Sequence, residues 1–348
     1  MCRREPSCSG RKEVWHVDKL FDRLESMKLF ITGTAGFIGM HLAHALLQEG
    51  HEVVGLDNFN DYYDVRLKRA RHARLVSHAG FTGIEGDLCD GPLLSRLFRE
   101  HRFDRVCNLA AQAGVRYSLT HPFAYQKANL EGFLNILEAC RHAGISRLVY
   151  ASSSSVYGGN TKLPFSETDA VDHPVSLYAA TKKANELMAH CYTHLYGLQT
   201  VGLRFFTVYG PWGRPDMAMW EFTRLMLEGK PIRVFNHGDM WRDFTFITDI
   251  ITGVKAALLQ PGLDPYEVLN LGNCHSEKLM DMIGTIAATL GVKPELEFLP
   301  LQPGDVKATY ADITRARAKL GFEPTTSIDR GIPQFVAWYK DYHGLTRR

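Results

Sequence analysis

The chain has 348 residues, 45% hydrophobic and 22% charged, which supplies a sizeable core and excludes a wholly disordered chain or a fibre. Forty Lys and Arg against 38 Asp and Glu leave a net charge of +2, which excludes the broad basic field that wraps nucleic acid or coats an acidic membrane. Seven cysteines with no C-x-x-C pair, and no apolar run long enough to span a bilayer, point to a soluble protein of a reducing compartment, the cytoplasm.

The first 26 residues are polar and mixed in charge, without an apolar signal core, and read as an extension outside the fold, with Met27 at the head of the first strand. From Lys28 onward, strands are predicted at 28–32, 51–56, 81–85, 105–110, 146–151 and 200–204, and helices at 37–48, 92–100, 124–143 and 176–196. That alternation predicts an α/β fold, a Rossmann-type doubly wound parallel sheet over residues 27–204. Beyond it Gly210, Pro211, Gly213 and Pro215 break the rhythm. Residues 205–348 are expected to form a smaller mixed α/β lobe that binds substrate and interleaves with the first domain.

The first strand runs into Gly33-Thr34-Ala35-Gly36-Phe37-Ile38-Gly39, a glycine turn opening a helix. Glycines allow the tight turn and the close approach of a pyrophosphate, and the helix N-terminus offers N–H groups to it. Asp57, 24 residues after Gly33 at the end of the second strand, would accept hydrogen bonds from adenosine ribose hydroxyls and repel a 2′-phosphate. Asn58 follows it and no arginine lies between Asp57 and Arg66, so NAD is expected rather than NADP. Asp87 and Leu88 close the third strand, where Asp87 could meet the adenine or cap a helix. Arg116, at the mouth of the fourth strand, and Arg214, in the glycine- and proline-rich loop, are candidates for negative groups of a substrate.

Tyr178 has Lys182 four residues on, a spacing that puts both on one helix face. A cation beside the phenol, with the charge of an oxidised nicotinamide, would lower its pKa and make Tyr178 a base. Upstream, Ser152-Ser153-Ser154-Ser155 sits at a strand C-terminus, where doubly wound folds bind ligands. His190 and His194 have helical spacing but no third ligand, so no metal is expected.

These residues resemble the extended short-chain dehydrogenases, specifically the nucleotide-sugar epimerases, over residues 27 to about 342. The resemblance is strongest to the branch acting on UDP-glucuronate, through Asp57-Asn58-Phe59-Asn60-Asp61-Tyr62-Tyr63-Asp64, Ala110-Ala111-Gln112-Ala113-Gly114-Val115-Arg116-Tyr117-Ser118 and Gly210-Pro211-Trp212-Gly213-Arg214-Pro215-Asp216-Met217-Ala218. It implies NAD-dependent 4-epimerisation of UDP-glucuronate to UDP-galacturonate through a 4-keto sugar. Tyr178 would be the base, Lys182 its partner and ribose ligand, and Ser153, or as second choice Ser155, the third hydroxyl. Ala110 and Ala111 would line the cofactor, Thr207 would contact substrate, and Arg242 in Trp241-Arg242-Asp243-Phe244 would hold the diphosphate. A homodimer through the helices at 124–143 and 176–196 is implied as well. The alternatives are UDP-glucose/UDP-galactose epimerisation, decarboxylation of UDP-glucuronate, disfavoured by the absence of a carboxylate at 153–155, and a non-catalytic Rossmann binding protein.

Overall fold

A computed structural model describes residues 26–302 and 306–345, so the expected extension, apart from Ser26, lies outside the described residues. The order is β1 (Lys28–Thr32), α1 (Phe37–Gln48), β2 (Glu52–Asp57), α2 (Val65–Val76), β3 (Phe81–Glu85), α3 (Gly91–His101) and β4 (Arg105–Asn108). Two one-turn helices, α4 (Tyr117–Thr120) and α5 (Pro122–Tyr125), lead through a π-helical segment, Gln126–Glu131, into α6 (Gly132–Ala143). Next come β5 (Arg147–Ser153), α7 (Leu177–Tyr196) and β6 (Gln199–Phe205). The second lobe adds β7 (Thr207–Tyr209), α8 (Ala218–Leu227), β8 (Ile232–Val234), β9 (Trp241–Arg242), β10 (Phe244–Phe246) and α9 (Ile247–Leu259). After β11 (Tyr266–Leu271) it closes with β12 (Glu277–Lys278), α10 (Leu279–Leu290), β13 (Leu296–Phe298), α11 (Thr314–Leu320) and α12 (Ile328–Tyr342).

Seven parallel strands form one sheet in the order β3-β2-β1-β4-β5-β6-β11. Because side chains alternate along a strand, Phe30 packs with Leu97, Phe98 and Phe133 on one face. Its neighbours Leu29 and Ile31 pack on the other face with Met40, Ala43 and Val254. The chain reverses direction across the sheet between β1 and β4, which opens a crevice at their C-terminal ends, and the second lobe covers it.

Three elements differ from the sequence expectation. The seventh strand, β11, returns from the C-terminal half to pair with β6. The expected helix over 124–143 is interrupted: Asn129, in the π-helical segment, accepts from the Gln112 amide (2.8 Å) and donates to the Gln112 carbonyl (3.0 Å) and the Thr181 hydroxyl (3.0 Å). The widened turn thus braces the loop after β4 against α7. Helix α2, with no counterpart in the expectation, turns Lys68 and Arg71 inward beside Leu67 and Leu75, so its buried face is partly basic.

Candidate active site

A cleft of about 1270 Å³ lies between sheet and second lobe, and every residue named above for cofactor, substrate or chemistry lines it. At its floor Gly33 has φ +75°, and a Cβ there would lie 2.8 Å from the Ala110 nitrogen; a Cβ on Gly39 would run into the Gly33 carbonyl. Helix α1 begins at Gly36 without a side-chain cap or an acidic residue in its first turn, so its N–H groups face the cleft unsatisfied by side chains. This is a cradle for a pyrophosphate. Asp57, 9% exposed, accepts from the Ala35 amide through Oδ2 and from the Phe59 amide through Oδ1, both at 2.9 Å. It therefore shapes the glycine loop even before any ligand arrives. The Asn58 amide donates to Asp87 (2.9 Å), which also accepts from the Cys89 amide, so Asp87 is fixed just beyond β3 rather than within it.

Ser176 caps α7 by accepting from the Ala179 amide (3.2 Å), and the first turn of that helix carries Tyr178 against the end of β5. Ser153, the last residue of β5, accepts from the Ser155 amide (3.1 Å), and its hydroxyl pulls the Tyr178 phenol downward. Of the serine run, then, Ser153 reaches the tyrosine, Ser152 turns away to Glu186, and Ser155 lines the cleft as a neighbour. Lys182 is buried and its Nζ donates to the Ala151 carbonyl (2.9 Å); burial pulls the ammonium down to about 8. The expected depression of Tyr178 is not what the chain alone produces. Burial pushes the phenol up, eased by the Ser153 hydrogen bond and by the charge of Arg214. Ser153 gives the larger relief and Arg214 the smaller, while Asp216 beside Arg214 opposes it, and the lysine one turn away is not among the causes.

Arg214 directs Nε and Nη2 at the two carboxylate oxygens of Asp216, and Tyr62 donates to the same carboxylate at 3.0 Å. Arg116, exposed, stands with its guanidinium 5.4 Å from the Phe235 ring centroid. Arg242 lies on β9 and donates to the Trp241 and Lys307 carbonyls. Next to it Asp243 is fully buried, accepting from the Asn273 and Ala311 amides and the Thr245 hydroxyl. Thr207 opens β7, half-buried in the cleft wall.

Sequence reasoning missed Asp216 and Tyr62, and two supports behind the site. One is a buried chain in which Glu186 accepts from Ser152 (2.7 Å) and from Arg204 (2.8 and 2.9 Å), while Arg204 donates to Tyr157 (3.0 Å) and Tyr157 to Asn270 (2.7 Å). The other is Arg71, fully buried, which donates to the Ala35 carbonyl in the glycine loop, to the Tyr63 hydroxyl, and to the Trp212 and Gly213 carbonyls just before Arg214. The spacing of Asp216 two residues after Arg214 was the available signal for the first. Among the described residues no group of three or more His, Cys, Asp or Glu could hold a metal, and His190 and His194 are exposed on α7. Of the described cysteines, all free, Cys107 and Cys140 are buried, Cys191 is exposed and Cys89 and Cys274 lie between.

The profile of the NAD dependent epimerase/dehydratase family matches residues 29–272. UDP-glucuronate 4-epimerase 3 of Arabidopsis thaliana is 48% identical over 331 residues, 90% of this chain and 77% of that one. The crystal structure of a UDP-glucuronic acid 4-epimerase from Bacillus cereus, in complex with UDP-glucuronic acid and NAD, superposes with a TM-score of 0.86 at 36% identity, covering 91% of this chain and all of the other. A UDP-glucose 4-epimerase of Thermotoga maritima with UDP-glucose gives 0.83 at 30% identity, covering 91% and 100%.

Proposed function

The chain belongs to the NAD dependent epimerase/dehydratase family, and from that membership we propose that it interconverts UDP-glucuronate and UDP-galacturonate by NAD-dependent inversion at carbon 4 of the sugar. The observation that carries this reading is the position of Arg214: a guanidinium in the same cleft as the Ser153 and Tyr178 hydroxyls, where its charge acts on the phenol. The relatives named for UDP-glucuronate support the same choice.

NAD fits the residues present. The glycine cradle has no room for a Cβ, the α1 N–H groups await an anion, and a carboxylate has roughly four acceptor sites, so Asp57 keeps capacity for ribose hydroxyls beyond its two backbone bonds. Leu88, Ala110, Ala111, Tyr178 and Lys182 complete that wall. When bound, NAD supplies the acceptor and then the donor of the hydride at carbon 4. Tyr178 Oη takes the proton of the 4-hydroxyl and later returns it, with Ser153 holding the phenol in place. Ser153 and Arg214 favour the phenolate while burial and the Asp216 charge oppose it, so base strength depends on the net positive charge gathered in the cleft. Arg242 and Arg116 are assigned to the diphosphate side, Thr207 to the sugar, and Arg214 to the uronate carboxylate.

The reading extends to a homodimer in the cytoplasm. Leu134 on α6 and Leu187 and Leu195 on α7 are exposed on the helices expected to pair. The described cysteines are free, and among the described residues no helix is long and apolar enough to cross a membrane. The first domain ends at 204 in this reading, and β11 is the segment of the second that crosses back to pair with β6.

UDP-glucose/UDP-galactose epimerisation is favoured by one observation, the occupation of Arg214 by Asp216. Offering each sugar nucleotide in heavy water and reading the products by NMR separates the readings. UDP-galacturonate with no deuterium at carbon 5 is expected; turnover of UDP-glucose alone, or release of a UDP-pentose, would replace the proposal by one of its alternatives.

A further inference from the structure

Arg214 and Asp216 occupy one turn, closed by the Met217 amide on the Arg214 carbonyl (3.2 Å). Their side chains are only 23% and 27% exposed. An isolated guanidinium so poorly hydrated would be costly, so the ligand-free cleft needs a resident counter-charge. Asp216 supplies it in the bidentate geometry that a sugar carboxylate would use, oxygen for nitrogen along one edge of the guanidinium. The third member comes from the other lobe. Tyr62, packed edge-on to Tyr117 at 4.8 Å, donates to Oδ2 of Asp216, and burial together with the Asp216 charge pushes its phenol well above the ordinary value, so it remains a donor.

We propose that Asp216 is a resident carboxylate that keeps Arg214 occupied until the carboxylate of the sugar replaces it, with Tyr62 receiving Asp216, so that this trio selects acidic over neutral sugar nucleotides. The proposal rests on the assignment of Arg214 to the uronate. An incoming carboxylate exchanges one charged partner for another, and the guanidinium is never left bare. A neutral hexose offers no replacement, so the ion pair stays closed against it. The exchange has its own cost, since two carboxylates then share one corner of the cleft, and Tyr62 offsets it by holding the displaced one.

Two substitutions of the full chain therefore act in opposite directions. In a Tyr178→Phe background, where turnover does not blur binding, dissociation constants for UDP-glucuronate and UDP-glucose are measured by calorimetry. Asp216→Asn is expected to tighten UDP-glucuronate by about tenfold, the equivalent of one charge repulsion of about 1.4 kcal/mol, and to leave UDP-glucose within about twofold. Tyr62→Phe, which removes the receiving hydroxyl, is expected to weaken UDP-glucuronate severalfold and again spare UDP-glucose. Weaker uronate binding in Asp216→Asn, or parallel changes for both sugars in either variant, would overturn the exchange. Should Asp216→Asn fail to fold, Tyr62→Phe alone decides by the same contrast. Arg214→Ala distinguishes the underlying assignment: equal losses for both sugars would refute the uronate contact itself, whatever the other two variants do.

Discussion

Replacing Glu186 by Gln tests the support behind the serine strand. The Glu186 and Arg204 side chains are 1% and 3% exposed, and their two hydrogen bonds, at 2.8 and 2.9 Å, form a closed fork. Gln keeps the shape but removes the charge and puts an amide N–H against a guanidinium. Breaking one member of a buried pair costs about 3–5 kcal/mol, because the partner charge remains buried. At roughly 2 °C per kcal/mol for a chain of this size the thermal midpoint should fall by about 6–10 °C. Circular dichroism melts at pH 7, with NAD held at one saturating concentration, read this directly. The pH dependence gives the sign. Burial pushes the Glu186 carboxyl up, but the Arg204 guanidinium outweighs it and holds the group below its ordinary value. A depressed carboxylate contributes its stability above the unfolded value of about 4.3 and loses it as pH falls through the folded one, so parent and variant should converge in acid. Glu186→Leu with Arg204→Met should recover most of the loss, since an apolar pair replaces the ionic one. A Glu186→Gln midpoint within about 2 °C of the parent at pH 7 would refute the reasoning.

Tyr178→Phe should lower kcat by about two to four orders of magnitude while leaving UDP-glucuronate binding nearly unchanged, and near-normal turnover would remove the base from the mechanism. Asp57→Ala should deplete the NAD that co-purifies with the protein, measured by absorbance after denaturation, because it loses both the ribose acceptor and the brace on Ala35 and Phe59. Gly39→Ala should abolish nucleotide retention, since its methyl presses into the Gly33 carbonyl. Gly50→Ala, at φ +85° with open space around it, should cost only about 1 kcal/mol of strain and keep the nucleotide.

What could be read from the sequence is what obeys short-range rules. Gly33, Gly36 and Gly39 must be glycine for steric reasons, and Asp57 stands where β2 ends. Tyr178 and Lys182 follow from helical period alone, and the structure sets both in one cleft wall. Helix α2 escaped because hydrophobic periodicity cannot see a face that buries Lys68 and Arg71 by giving their nitrogens carbonyl and hydroxyl acceptors. The interruption before α6 carries no proline, and its cause, Asn129 bonded to Gln112 and Thr181, is tertiary. A run of four serines is degenerate until the end of β5 fixes which hydroxyl faces Tyr178. The upward direction of the Tyr178 phenol in the chain without a nucleotide has a related reason: spacing places Lys182 on the same face, but only the fold shows its ammonium turned to Ala151 and the phenol desolvated.

Arg71 gives the two lobes a common anchor. Its nitrogens hold the Ala35 carbonyl on one side and the Trp212 and Gly213 carbonyls on the other, from a position with no solvent exposure. The loop that cradles a pyrophosphate and the loop that carries Arg214 therefore share one tether, and shifting one against the other breaks a buried hydrogen bond. Any tightening of one on its ligand is transmitted as order in the other, and reciprocity of linkage makes the effect equal in both directions. For a catalyst that must return the hydride it has taken, this tether is expected to make a sugar-filled cleft hold the nucleotide more tightly, through a side chain with no exposure to water.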